Sequence, residues 1–313
     1  MEEKIKIDHI SSPLVSIIIP IYNGEHFIKR CLDSVISQSY INIEIICVIN
    51  GCDDDSEEKV KNYKNIDHRI KIVTIDKNDL GLACNLGLEL SRGEYISFID
   101  IDDWVQENYI IKLLSGVNKG YKICKSNMEL YDGVNKKSVY SNKREGKYSL
   151  LNLSWLLPCR QAAIYKKTLF QHISYLEDSY YEDLATWPLL LKQVEHIYYI
   201  NDTIYTYNKT NSNSIMSMRS SKHLVLDKVF NHIFSNMCDT VNKEINILIT
   251  SLFIQAFWSN NIYLIDSSKK NKEYLKRLKK VIKGKLIGYY YIVNTLDISN
   301  EQKEVMIKFY DNE

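Results

Sequence analysis

Three carboxylates, Asp100, Asp102 and Asp103, fall within four positions of the stretch FIDIDDW (98–104), and Trp104 follows at once. Acids this close repel one another, so something positive has to offset them. A hard divalent cation is the usual answer. Mg2+ and Mn2+ prefer oxygen ligands, take few of them from protein, and complete their shells with water and substrate phosphates. An Asp-x-Asp at the end of a strand therefore suggests a metal that bridges to a phosphorylated ligand. The competing reading is a solvated acidic turn in which Asp102 or Asp103 caps the next helix.

The elements around this turn set its place. VSIIIPIYN (15–23) is a short, β-branched, apolar run closed by Pro20 and Asn23, and it predicts a buried strand. Phe27, Ile28, Cys31, Leu32, Val35 and Ile36 recur at helical spacing, so 24–38 predicts an amphipathic helix. IEIICVIN (43–50) is a second strand running into the acidic GCDDDS, with a helix to about residue 63. IKIVTI (70–75) is a third strand. LACNLGLELSRG is a helix ended by Gly93, a residue suited to a left-handed cap. EYISFID (94–100) is the fourth strand. Strands alternating with helices imply a parallel sheet covered on both faces. In such sheets ligands bind beyond the carboxyl ends of the strands, where Asn50 and the Asp100 cluster both lie.

Further on the pattern changes. YKICKSNMELYDG (121–133) predicts another strand, 132–148 a polar loop or hairpin, and 204–221 a polar loop. After residue 222 the chain reads as helical, which divides it into 1–221 and 222–313. INILITSLFIQAFW (245–258) is too short for a membrane span and carries Asn246 and Gln255, so it predicts a buried helix. In 269–292 a lysine-rich helix carries an apolar stripe of Leu275, Leu278, Ile282 and Leu286. Two readings stay open for it: contact with an anionic membrane surface, or packing on the rest of the protein with a solvated basic face.

Net charge is +1 with 25% charged residues, so overall charge names no partner; no recognition module accompanies the local basic stretch, and nucleic acid is not expected. Seven scattered cysteines without a C-x-x-C pair, behind a polar, charged N-terminus, predict reduced thiols and a cytoplasmic setting. The first strand lacks a following G-x-G-x-x-G, which excludes a dinucleotide oxidoreductase. A haloacid-type phosphatase places its Asp-x-Asp after the first strand, whereas here it follows the fourth.

Taken together, VSIIIPIYNGEHFIKRCLDSVISQSY, IEIICVINGCDDDS, GLACNLGLELSRGEYISFIDIDDW and the downstream YEDLATWPLLL and IYTYNKTNSNSIM resemble the family 2 glycosyltransferases, nucleotide-sugar enzymes of the GT-A fold. The resemblance covers about residues 14–216. It implies an α/β, Rossmann-like, mostly parallel sheet flanked by helices, with a helical C-terminal extension. It also implies Mn2+ or Mg2+, a UDP-sugar donor, inverting transfer of a hexose or N-acetylhexosamine, and a hydroxyl of a surface glycan or lipid-linked glycan as acceptor. Such an acceptor fits a cytoplasmic protein peripheral on the inner face of the plasma membrane.

Residue by residue, the resemblance sets Pro20 to Asn23 against the nucleotide, with Tyr22 sheltering base or ribose or else packing. Where relatives carry paired acids for uracil, this chain has Ile49 and Asn50, and Asn50 can still offer a carbonyl oxygen. Asp54 reads as a helix cap. Cys84 stands before Asn85 where many relatives have an Arg for phosphate, so another Lys or Arg, or the metal, must supply that charge. Asp100 faces ribose or metal-bound water, and Asp102 and Asp103 are the metal ligands. Asp183 is the catalytic base, with Glu182 as neighbouring charge or helix-start acid. Trp155, Pro158 and Arg160 fall near donor or acceptor. Trp187 stacks on a sugar or fills the core, and Lys209 reaches toward the diphosphate. The departures at Ile49, Asn50 and Cys84 keep one alternative open: a non-catalytic binding or assembly partner of the same fold.

Overall fold

In the computed structural model, which describes residues 12–215, 220–237, 243–258, 269–295 and 300–311, the early apolar runs become buried strands. β1 (Val15–Ile21) and β2 (Ile43–Asn50) are buried at every position, as helices on both faces of a sheet require. Between them α1 (Ile28–Ile36) buries Ile28, Cys31, Leu32 and Val35, a single face at three- and four-residue spacing. α2 (Ser56–Ile66), β3 (Ile70–Ile75), α3 (Leu80–Leu90) and β4 (Tyr95–Phe98) continue the alternation. The block β3-β2-β1-β4 is parallel throughout.

Beyond β4 the sheet turns mixed. The chain forms β5 (Trp104–Val105), α4 (Tyr109–Val117), β6 (Ile123–Tyr131), β7 (Lys136–Ser138), β8 (Gly146–Ser149), β9 (Ala163–Lys166), α5 (Glu182–Leu191) and β10 (His196–Asn208). The strand order among the described residues is β3-β2-β1-β4-β9-β6-β10-β5, with β7 on β6 and β8 on β10. β9 enters between β4 and β6, antiparallel to both. Its N-terminal end therefore lies beside the C-terminal end of β4. Extending the Tyr95–Lys166 and Ile96–Tyr165 register brings Gln161 opposite Asp100. β10 runs parallel to β6, so Asn208 ends at that same edge of the sheet.

Two local expectations need correction. The stretch 204–221 is not loop from its start, because β10 extends to Asn208. Its Tyr205, Thr206 and Asn208 are polar yet buried, with Tyr205 Oη on Asp103, Thr206 Oγ1 on Glu129 and Asn208 Oδ1 accepting from Thr210. Residues 216–219 of that stretch lie outside the described ones. Gly93 is not a left-handed cap: α3 ends at Leu90 with Ser91 extended (φ −67, ψ 141) as its C-cap. Glycine is required at 93 because a Cβ there would sit 2.6 Å from the backbone nitrogen of Ser16.

The C-terminal part supplies α6 (Leu226–Asn236), α7 (Lys243–Ala256), α8 (Lys269–Ile282), α9 (Tyr289–Thr295) and α10 (Asn300–Asp311). α6 and α7 pack on α5, and α8 packs on α6. Of the expected stripe Leu278, Ile282 and Leu286 are buried and Leu275 is half-buried, with Tyr274 buried beside them. No helix among the described residues is long and apolar enough to cross a membrane. The expected division at 221/222 falls in the 3₁₀ turn Ser221–His223, and buried side chains on either side belong to one continuous cluster. The six cysteines among the described residues are free.

At the edge of the sheet opposite the acidic turn, one carboxylate ties three segments. Glu44 is 4% exposed and accepts from Ser16 Oγ at 2.6 Å, Arg92 N at 2.6 Å and Lys71 Nζ at 2.5 Å. Burial pushes its carboxyl up, but the bonds from Lys71, Ser16 and Arg92 prevail and hold it at about 2. An unfolded Glu titrates near 4.3. The folded value is the lower one, so this stabilisation is present above about pH 4.3 and is lost as pH falls toward 2. Glu44→Gln should lower stability at pH 7 by about 1–3 kcal/mol. Thermal melts of both proteins check it: the gap between them should close between about pH 4 and pH 2, and a constant gap would contradict the assignment.

Candidate active site

The carboxyl ends of β1, β2 and β4 carry the first three groups. Pro20 is buried in β1 beside Val48 of β2, and Tyr22, just past the strand, is 45% exposed. Asn23 adopts φ +43, a left-handed conformation that Asn tolerates better than most residues. From there its amide exchanges hydrogen bonds with Asp53, as donor to Oδ1 and as acceptor from the backbone N–H at 3.0 Å. Asp54 bridges the same two loops, accepting from Glu25 N and from Ser56 N at the start of α2, both at 3.0 Å. That is the helix-start role expected of it.

Asn50 is 2% exposed, and its Oδ1 already accepts the backbone N–H of Asp79 at 2.9 Å. A carbonyl oxygen has two lone pairs, so one acceptor position and the NH2 group remain. Asp79 is the N-cap of α3, accepting from Leu82 N at 3.2 Å and from Asp178 N at 2.9 Å. α3 thereby grips the segment that leads into Glu182-Asp183. Asn85 accepts from Tyr175 N at 2.7 Å and donates to Tyr175 O at 3.0 Å. Gly81 permits the approach, since a Cβ there would lie 2.2 Å from the Leu176 carbonyl oxygen. Cys84, in the middle of this helix, is fully buried.

The acidic turn splits into unlike parts. Asp103 is fully buried; its Oδ2 accepts from Tyr205 Oη at 2.6 Å and its Oδ1 from Asn208 N at 2.8 Å. It anchors the end of β10 to the turn. Asp102 accepts from Asn211 Nδ2 at 2.9 Å. Asp100 accepts from Arg160 Nη2 and Gln161 Nε2. Carboxylate oxygens of all three lie within 4.8 Å of one another. Their repulsion adds to the effect of burial: burial, then the charge of Asp100, pushes the Asp102 carboxyl up, and burial with the charges of Asp102 and Asp100 pushes that of Asp103 well up. Arg30 answers part of this charge. Its Nη2 donates to the Asp102 carbonyl oxygen at 3.0 Å, and its guanidinium lies 3.8 Å over the Trp104 ring, a cation–π contact. Lys209, exposed, follows Asn208 at the same edge.

The second acidic pair opens α5. Tyr181, its N-cap, holds φ +65, an outlier for a bulky residue. Its hydroxyl pairs with His223 Nδ1 at 2.8 Å, which ties the helical region to this turn. Arg160 Nη1 donates to Glu182 Oε1 at 2.9 Å and to Asp183 Oδ2 at 3.1 Å, and its backbone N–H also meets Asp183 Oδ2 at 3.1 Å. Asp183 is raised, by burial first; Arg160 opposes this and the charge of Asp100 adds to it. Glu182 is raised by burial and by the charge of Asp183.

The structure therefore brings Asp100 and Asp183 to one guanidinium. Arg160 supplies a cation beside Cys84, whose thiol feels it. The sequence signal was thin: an Arg in a segment expected near donor or acceptor, with nothing to show that β9 would run antiparallel to β4. Trp187 and Trp155 are packed among other side chains, Trp187 at 2% exposure and Trp155 against Tyr140, Tyr148 and Tyr199.

Comparison with known proteins follows from this geometry. A family profile described as Glycosyl transferase family 2 matches residues 16–174. The chain is similar to the glycosyltransferase GlyA of Streptococcus pneumoniae serotype 4, 29% identical over 209 residues, 62% of this chain but 30% of GlyA. It thus spans under a third of that relative's length. It is also similar to the glycosyltransferase GlyG of the same organism, 29% identical over 224 residues, 66% of this chain and 73% of GlyG. In fold it is similar to S. aureus TarS in complex with UDP-GlcNAc, with TM-score 0.79, 17% identity, 94% of this chain and 86% of that one covered. The mannosyltransferase PcManGT from Pyrobaculum calidifontis, in complex with GDP-Man and Mn2+, aligns with TM-score 0.55 and 12% identity over 96% and 88% of the two chains. Both likenesses show the same α/β architecture with a helical C-terminal region.

The two acids Asp102 and Asp103 should separate in a melting experiment. Asp103→Asn should lower the midpoint without any metal, by about 2–4 °C for each kcal/mol lost from its two bonds. Asp102→Asn should melt near the wild type, and any rise in midpoint that Mn2+ gives the wild type should be lost with it. The reverse pattern would exchange their roles.

Proposed function

The chain belongs to glycosyl transferase family 2, and on that premise we propose that it is a metal-dependent inverting glycosyltransferase. It moves a hexose or N-acetylhexosamine from a UDP-sugar to a hydroxyl of a growing surface glycan. The observation that carries this reading is the convergence of Asp100, Asp102 and Asp183 at one edge of the sheet, beyond the ends of parallel strands. The uridine nucleotide is supported by the TarS likeness, since that protein was solved with UDP-GlcNAc.

The donor set of the acidic turn is all oxygen, which fits a hard divalent cation such as Mn2+ or Mg2+. Asp102 is the ligand best placed to hold it, because Asp103 has both oxygens engaged inside the protein and Asp100 has both on Arg160 and Gln161. When bound, the ion compensates the charge developing on the leaving diphosphate. Tyr22 and Asn50 border the nucleotide. The Asp183 carboxylate takes the proton from the acceptor hydroxyl as the hydroxyl oxygen attacks the anomeric carbon, and the nucleoside diphosphate leaves from the opposite face. Burial raises Asp183 above an ordinary Asp, which makes it a better base. The expected contact with an anionic membrane surface rests on the outward lysines 272, 276, 280, 283 and 285 and on exposed Ile287, Tyr290 and Tyr291, because the apolar stripe itself is packed inside.

A panel of nucleotide sugars, assayed for hydrolysis with Mn2+ and with chelator, tests the reading; turnover of one UDP-sugar that chelator abolishes is expected. Asp183→Asn should reduce transfer by roughly 10²–10⁴-fold while UDP binding persists. The base must be ionised, so activity should fall on the acid side, with its limb above the ordinary Asp value of about 3.9. UDP binding without turnover of any sugar would favour the non-catalytic partner instead.

A further inference from the structure

Arg160 is 4% exposed and meets carboxylates from both halves of the site. One end of the guanidinium, Nη2, holds Asp100; the other, Nη1, holds Glu182 and Asp183. A guanidinium is planar and presents its donors in a fixed fork, so the partners' positions are not independent. All its Nη contacts go to these acids, which leaves it unsuited to a phosphate and suited to alignment.

A second, separate observation concerns the inner side of the clamp. Arg160 Nε, Trp187 Nε1 and Asp183 Oδ1 are buried polar atoms without a protein partner. All three residues line one cavity of about 10 Å³, together with Tyr165, Tyr175 and Thr186. That volume is about that of one water, and two donors and one acceptor without protein partners match the hydrogen bonds a buried water makes.

We propose that Arg160 is the positioning residue of this site: it fixes the base Asp183 relative to the donor-side Asp100, and a single water bound among Arg160 Nε, Trp187 Nε1 and Asp183 Oδ1 completes the clamp. Arg160 then holds Oδ2 and the water holds Oδ1, so both oxygens of the base are fixed in place. This deepens the transferase reading and rests on it. Lysine at 160 keeps the charge but loses the fork, and cannot hold both ends at once.

The test uses the full chain with Mn2+ and the donor sugar that turns over. Arg160→Lys should reduce kcat roughly 10- to 100-fold, the scale of a misplaced reacting group, with a smaller change in donor KM. In an Asp183→Asn background the same substitution should add little to the loss in kcat, because Arg160 acts on turnover through Asp183. Losses that multiply fully, or an Arg160→Lys enzyme with wild-type kcat, would overturn the proposal. Should Arg160→Lys fail to fold, Glu182→Gln loosens the same end of the fork and carries the same expectation at smaller size. If Asp183→Asn alone is fully active, the base reading fails, and Arg160 is then judged by whether Arg160→Lys weakens Mn2+-dependent UDP binding through Asp100; unchanged binding would overturn it. A crystal structure at high resolution should show the water on Trp187 Nε1, and Trp187→Phe should lose it; density absent from the wild type refutes that part.

Discussion

Asp100 and the adjacent pair Glu182 and Asp183 come from two distant segments and meet around one buried guanidinium. An ionised group taken out of water without a partner carries a penalty of several kcal/mol, so each member of this cluster depends on the others. Much of the surrounding architecture reads as the means of bringing them together. β9 inserts antiparallel to β4, which delivers Arg160 and Gln161 to the edge where β4 releases Asp100. α3 holds the segment before α5 through Asp79, Gly81 and Asn85, and that segment sets the start of α5 where the second pair of acids lies.

The acidic turn shows a division between fold and chemistry within adjacent residues. Asp103 points into the protein and secures Tyr205 and Asn208, while Asp102 stays toward Asn211. A crowded run of carboxylates is tolerable because arginines offset part of its charge: Arg160 answers Asp100, and Arg30, stacked on Trp104, stands close to the other two. The cation that stands near Cys84 comes from position 160, on a different element, and it is spent on the acids and not on phosphate.

The first half of the fold was legible because its strands are continuous apolar runs and its helices show one buried face. The second half was harder for a physical reason. Tyr205 bonds to the acidic turn, Thr206 to Glu129 and the Asn208 side chain to Thr210, and polarity in a short run reads as loop. β9 is four residues long and carries no periodicity of its own. Gly93 illustrates an ambiguity of type: a glycine after a helix can serve a left-handed turn or a close backbone approach, and only the position of Ser16 decides. In the site, the Asp-x-Asp was readable from its own chemistry at a strand end, Asp183 came from the resemblance, and the burial of Asp103 was visible in neither pattern nor composition.

The most direct test of the account is an anomalous-scattering crystal structure of the protein with Mn2+ and UDP. The account predicts one manganese peak within coordinating distance of an Asp102 oxygen, with Asp103 still bonded to Tyr205 and Asn208 and Asp183 still on Arg160. A nucleotide bound at this edge with no manganese beside Asp102 would contradict it.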